Sequence, residues 1–210
     1  MAESRLVWET LATGGVDVVP KARIAELARR IDLNPDATIR TLSENRRLLP
    51  LFKGFYYLCK PEEILLHKGF NPLNLFARGA KAKDIGTWYF GLHTALRLHG
   101  MGHEYRLDEH VISDAFYRPN GVPIAGRRFI IHKWRAEMGR FGVVRKGEYF
   151  VSDPEKTVLD FAYLDYYAMA KGRAPSGTWR EHLESVRVDT LRSYLPNYPE
   201  AVRGMVEAAL

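Results

Sequence analysis

Apolar residues at helical spacing organise the first 60 positions. Ser4 to Thr13 predicts a helix with Leu6, Val7 and Leu11 inward, closed by Gly14-Gly15. From Pro20 a second stripe runs through Ile24, Leu27, Ala28 and Ile31, at i, i+3, i+4 and i+7. Asp32 and Leu33 break it. Asn34-Pro35 then predicts a new helix, with Asn as N-cap and Pro at the first helical position. That helix buries Ile39 and Leu42, shows Ala37, Arg40, Thr41 and Glu44 on its other face, and ends in Arg46 and Arg47. Two short apolar runs, 48–52 and 55–58, joined by Lys53-Gly54, predict a hairpin. Val16 to Val19 predicts a short strand beside it.

The pattern changes further on. Pro61 opens a short helix through Lys68, closed by Gly69, and Asn71 to Asp84, rich in Asn, Gly and Lys, predicts a linker or exposed loop. Trp88 to His99 predicts a helix with Trp88, Leu92, Ala95, Leu96 and His99 on one face and Gly100 as its cap. His110 to Tyr117 predicts a strand ending in the turn RPNGVP. Arg127 to Trp134 predicts another, and Val143 to Val151 a pair split at Lys146-Gly147. No crossover helix separates them, so an antiparallel sheet is the economical expectation. Asp153, or alternatively Ser152, caps a helix running to Ala170. A loop follows, then two or three helices broken by Pro196 and Pro199.

Helix, short turn, helix and basic-tipped hairpin is the order of a winged helix-turn-helix, whose second helix enters the major groove. The predicted class is α+β. Residues 1–60 form a winged helix-turn-helix, 61–175 an α+β domain with an antiparallel sheet, and 176–210 a helical tail packed on that domain.

Charge sharpens this picture. The chain of 210 residues carries a net charge of +6, which leans towards an acidic partner. Residues 1–60 hold ten Lys/Arg against seven Asp/Glu, and residues 118–148 hold eight against two. The DNA-binding candidates are Arg23, Asn34, Ala37, Arg40, Thr41, Glu44, Arg46, Arg47 and Lys53. Arginine pairs bidentately with guanine, threonine serves either base type, and glutamate accepts from cytosine. An auxiliary basic surface is expected from Arg118, Arg127, Arg128, Lys133, Arg135, Arg145 and Lys146, adding phosphate affinity without sequence preference.

Other chemistry finds less support. No apolar run is long enough to span a bilayer, and the start lacks a signal peptide's pattern, so a cytoplasmic protein without a membrane partner is expected. The single Cys59 excludes an internal disulfide and reads as a small buried hydrophobe. His93, His99, His103 and His110 invite a metal, but His93 and His99 fall on different faces of one helix, and no metal or other cofactor is expected. Asp108, Glu109, Asp114 and Lys133 would suit a metal-dependent nuclease, yet Lys133 lacks an acid two residues before it. Asp160 reads as an outer-face aspartate. No phosphate-binding loop, dinucleotide fingerprint or nucleophile elbow is present, and no enzymatic activity is expected. The alternatives are that nuclease with a DNA-binding front end and a plain ligand-responsive operon regulator.

Three segments in order, KGFYYL at 53–58, GLHTALRLHG at 91–100 and VSDPEKTVLDFAYL at 151–164, resemble the AbiE-type antitoxins (AbiEi) and related regulators of viral defence systems. Lys53-Gly54-Phe55-Tyr56 stands for the family's Arg-Gly-Val-Tyr, Thr94 replaces its usual serine, and Asp153 to Asp160 is nearly intact. The resemblance covers about residues 20–165. It implies a repressor that binds repeats in its own promoter, in double-stranded DNA, and counteracts a nucleotidyltransferase-like toxin without forming a stable complex with it.

Overall fold

The computed structural model describes residues 2–66, 69–102 and 108–210. The first elements are α1 (Ala2–Thr13), β1 (Val18–Pro20), α2 (Lys21–Arg29), α3 (Pro35–Glu44), β2 (Leu48–Phe52), β3 (Phe55–Leu58), α4 (Pro61–Leu65) and α5 (Pro72–Ala82). Then come β4 (Trp88–Phe90), α6 (Leu92–Leu98), β5 (Asp108–Ser113), β6 (Arg118–Ile124), β7 (Arg127–Lys133), β8 (Val143–Lys146) and β9 (Tyr149–Ser152). The helices α7 (Pro154–Ala170), α8 (Thr178–Glu181), α9 (Val188–Tyr194) and α10 (Glu200–Glu207) complete the chain. The fold is mixed α+β. One sheet is antiparallel with strand order β1-β3-β2, and the other is mixed with order β6-β7-β5-β4-β9-β8. The chain divides into two compact units, Met1–Asp84 with Val122–Arg128, and Ile85–Gly121 with Phe129–Leu210.

In the first unit, Val7, Trp8, Leu11, Ile24, Leu27, Ile39 and Leu42 meet Leu48 and Leu58 in one core. Burial of each such side chain stabilises by about 1.5–3 kcal/mol. Two expected inward positions are exposed. Leu6 is 56% exposed and Trp8 takes its place, because positions 7, 8 and 11 share the buried side of α1. Ile31 is 43% exposed, since α2 ends at Arg29 and the chain turns away through Asp32 at φ 54. Residues 71–84 are no linker. Asn71 accepts from the Leu73 and Asn74 amides, Pro72 sits at the first helical position, and α5 buries Leu73, Leu75, Phe76, Ala77 and Ala80. The expected end of the short helix at Lys68 lies outside the described residues.

The second unit departs from expectation in three places. Trp88 to His99 is not one helix: β4 ends at Phe90, and Gly91 is the N-cap of α6. Asp114 to Tyr117 is not strand, and the expected turn RPNGVP is β6 instead. The sheet is not all antiparallel, because β4 pairs parallel with β9 through Phe90 and Val151. Residues 91–148, with α6 and strands β5 to β8, lie between these two parallel strands, and the short stretch 134–142 that joins β7 to β8 carries Gly139 and Gly142. A Cβ at Gly139 would stand 2.6 Å from Thr87, and one at Gly142 would stand 2.7 Å from Lys156. Only glycine allows so close an approach.

Beneath this sheet α7 is buried from Glu155 to Tyr163. Asp153 is its N-cap, accepting from the Lys156 amide at 2.8 Å, while the Ser152 hydroxyl is taken by Thr157. Asp160 is fully buried, not on an outer face, and lies 3.0 Å from Lys156 Nζ.

Candidate nucleic-acid interface

The second helix of the first unit is fixed from its capping residue outwards. The Asn34 side chain accepts from the Ala37 amide at 3.0 Å, and the Thr38 hydroxyl donates to the Asn34 carbonyl at 2.9 Å. With Thr38, Ile39 and Leu42 buried, the opposite face turns out Ala37, Arg40 and Glu44, all exposed, and Thr41, half-buried. Thr38 is a buried position that apolar periodicity does not register.

The hairpin tip is tied to this helix through one residue. Phe52 pairs with Phe55, so Lys53-Gly54 is a two-residue loop, with Gly54 at φ 81. The Lys21 amide donates to the Gly54 carbonyl at 2.8 Å, and Lys21 Nζ lies 2.7 Å from the Asp36 carboxylate in the first turn of α3. That hydrogen bond holds the Lys21 ammonium above its usual range and Asp36 below the usual carboxylate range. Lys21 therefore sets exposed Lys53 beside the start of α3. Sequence reasoning missed it. The signal is a lysine directly after a strand-ending proline, at the junction of β1 and α2.

The other candidates separate. Arg46 is exposed at φ 54, just past α3. Arg47 turns inward, its guanidinium 5.5 Å from the Trp8 ring centroid and its Nε buried without a partner among the described residues. Arg23 is exposed on α2 and pairs with Glu26 at 2.7 Å, as Arg30 does at 2.6 Å. Arg40, Thr41 and Glu44 are thus turned outward along α3, with Arg46 past its C-terminal end and Lys53 at the hairpin tip, all side chains able to hydrogen-bond with phosphates or base edges.

The auxiliary residues do not form one patch. Arg118 lies on β6, Arg127, Arg128 and Lys133 on β7, and Arg145 and Lys146 on β8. Strands β5, β4 and β9 stand between β7 and β8, a separation of about 19 Å at strand spacing. Arg118 stacks over Phe116 at 4.4 Å, and Lys146 donates to the Leu98 carbonyl at 2.9 Å. Lys133 and Arg135 instead line a cleft of about 970 Å³ within the second unit, with Asp114, Trp134, Tyr163, Tyr167 and Lys171.

Of the nuclease set, Asp114 and Lys133 share that cleft. Glu109 does not line it; buried, it accepts from Thr94 at 2.9 Å and from Arg97 at 2.7 Å. The histidines regroup as well. His99 Nε2 meets the Ser152 carbonyl at 2.7 Å, whereas His93, His110 and His132 form a row, with His110 Nδ1 3.1 Å from His132 Nε2. His103 lies outside the described residues. Among the described residues no group of three His, Cys, Asp or Glu could hold a metal ion. Cys59 is buried, which pushes its thiol up to about 12. No described helix is long and apolar enough to cross a membrane.

No protein-family model matches the chain, and no curated protein matches it. A solved structure similar in fold is the crystal structure of RV2827C protein from Mycobacterium tuberculosis. Its TM-score is 0.60 at 16% identity, over 96% of this chain and 74% of that one. At that identity the likeness concerns the fold alone.

Proposed function

We propose that this chain is an antitoxin-like transcriptional repressor whose first unit is a winged helix-turn-helix, with α3 in the major groove and the β2–β3 hairpin as the wing. One observation carries the reading: the exposed Ala37, Arg40, Thr41 and Glu44 face of α3 stands beside a lysine-tipped hairpin that Lys21 holds to that helix. Its own operon promoter as target, and a nucleotidyltransferase-like toxin as the activity opposed, follow from the resemblance of 53–58, 91–100 and 151–164 to AbiE-type antitoxins. The chain itself performs no catalysis in this reading.

The test is titration of the promoter duplex in a mobility-shift assay. Arg40→Ala is expected to cost about 1–3 kcal/mol and to relax specificity at one base position. Lys53→Ala should weaken all sequences alike and flatten the salt dependence. An Arg40→Ala titration that overlays the unaltered protein sinks the assigned face. A second reading, a ligand-responsive operon regulator, is favoured by the cleft in the second unit.

A further inference from the structure

The cleft between the end of β7 and the C-terminal half of α7 joins Lys133 and Arg135, expected in the auxiliary basic surface, to Tyr167 and Lys171, which neither duplex binding nor the antitoxin resemblance uses. Its residues all belong to 85–121 and 129–210. Two of its cations, Lys133 and Arg135, flank Trp134 in sequence; the third, Lys171, is the C-cap residue of α7. All three are exposed, and among the described residues none has a carboxylate within ion-pair distance. Against them stands one carboxylate, Asp114, of which one oxygen accepts from the Thr87 amide at 3.0 Å. The other remains able to accept from a ligand hydroxyl or amine.

The aromatic side of the cleft is ordered by its own contacts. Trp134 meets Tyr163 edge to face at 5.0 Å, and Tyr163 meets Tyr167 likewise at 4.8 Å. Tyr163 is buried, while Trp134 is half-buried and Tyr167 is 43% exposed. Tyr163 is thus the fixed member and the other two turn ring surface towards the cleft. At Gly86 the wall passes so near Asp114 that a Cβ would stand 2.5 Å from its carboxylate.

A small inorganic anion needs neither the aromatic rings nor about 970 Å³ of space, which is near the upper end for small-ligand pockets. An aliphatic acid would use one cation and leave the ring faces idle. A planar base joined to phosphates uses both, because bases stack on aromatic faces and phosphates pair with Lys and Arg. We infer that this cleft is a nucleotide-binding site, with Trp134 and Tyr167 stacking the base, Lys133, Arg135 and Lys171 receiving the phosphates, and Asp114 accepting from a sugar hydroxyl or base amine. The nucleotide is either free in solution or the end of a single strand. The chemistry is shared and the sources are separable.

The experiment is calorimetric titration of the full-length protein with the four ribonucleoside triphosphates, adenosine, inorganic tripolyphosphate and a 5′-phosphorylated single-stranded hexanucleotide. Saturable binding of at least one triphosphate or of the hexanucleotide is expected, about tenfold or more tighter than adenosine or tripolyphosphate. Binding by triphosphates identifies the free nucleotide, and binding by the hexanucleotide alone identifies a strand end. Lys171→Glu and Tyr167→Ala, both at exposed positions, should each weaken it about tenfold or more, with melting temperature and Arg40-dependent duplex binding unchanged. The inference is overturned if no probe binds at millimolar concentration, if tripolyphosphate binds as tightly as the nucleotides, or if both variants bind like the unaltered protein.

Discussion

Asp153 to Asp160 looks at first like a run of reactive side chains, yet each one is engaged locally, Glu155 through one carboxylate oxygen. Asp153 caps α7 and accepts from the Tyr194 hydroxyl at 2.9 Å, and Glu155 accepts from the Arg187 amide and Nε at 3.1 and 3.0 Å. Lys156 lies under the rings of Phe141 and Tyr89, at 4.2 and 4.9 Å, and pairs with Asp160. Asp160 also accepts from Tyr198 at 2.7 Å and Tyr89 at 2.9 Å. Burial pulls the Lys156 ammonium down and the Asp160 carboxyl up, each opposed by the partner's charge. A buried pair is far more sensitive to losing one member than to losing both. Asp160→Asn alone should therefore destabilise by about 3–5 kcal/mol in denaturant unfolding. The double variant Lys156→Met/Asp160→Asn should recover much of that, because the asparagine oxygen accepts from one tyrosine hydroxyl and its amide nitrogen donates to the other. Additive losses in the double-mutant cycle would show that the two charges do not support each other.

Among the elements, those announced by capping chemistry were legible and those defined by distant partners were not. Asn34-Pro35 and Asp153-Pro154 both open helices, as expected from sequence. Asn71-Pro72 carries the same signature, followed by Leu73, Phe76, Ala77 and Ala80 at helical spacing, but its Asn, Gly and Lys content suggested a loop. Strand β4 could not be found by periodicity, since three consecutive apolar residues look alike in a buried strand and a buried helix. Its identity comes from β5 and β9 on either side. The α3 face was legible because helical spacing separates its buried and exposed residues. The cleft was not, since Asp114, Lys133 and Lys171 lie far apart in sequence. Between β5 and β7, His110 Nδ1 meets His132 Nε2 at 3.1 Å, which requires one nitrogen to remain an unprotonated acceptor. Burial lowers the His132 pKa from 6.5. The unfolded chain then binds more protons than the folded one as pH falls through that value, so stability declines until the lowered folded value is passed. Melting temperature should fall from pH 7.5 to 5.5, and His132→Phe should flatten that decline. An unchanged slope in the variant would assign the acid sensitivity to other groups.

At the scale of the whole molecule, α5 decides where the chain can be divided. It packs on β1, β2 and β3, and Gly79 leaves room for Phe52 and Leu51, which a Cβ there would approach to 2.8 and 3.1 Å. A fragment of residues 1–60 leaves those two side chains uncovered. It should show no cooperative melt by circular dichroism, whereas residues 1–84 should melt cooperatively, though below the intact unit because Val122–Arg128 is missing. Equal melts for the two fragments would remove α5 from the core of the first unit. The parallel pairing of β4 with β9 bears on how the protein is made. β4 obtains its second neighbour only when Val151 arrives beside Phe90, so a chain still attached to the ribosome presents β4 with an open edge. At about 5–20 residues per second, synthesis of the roughly 60 intervening residues takes on the order of 3–12 s. The first 84 residues have their own helices and sheet early in that time, while the second unit must wait for its last strand. A truncated transcript ending before residue 149 would release a protein with an unpaired, apolar strand edge, the kind of species that aggregates.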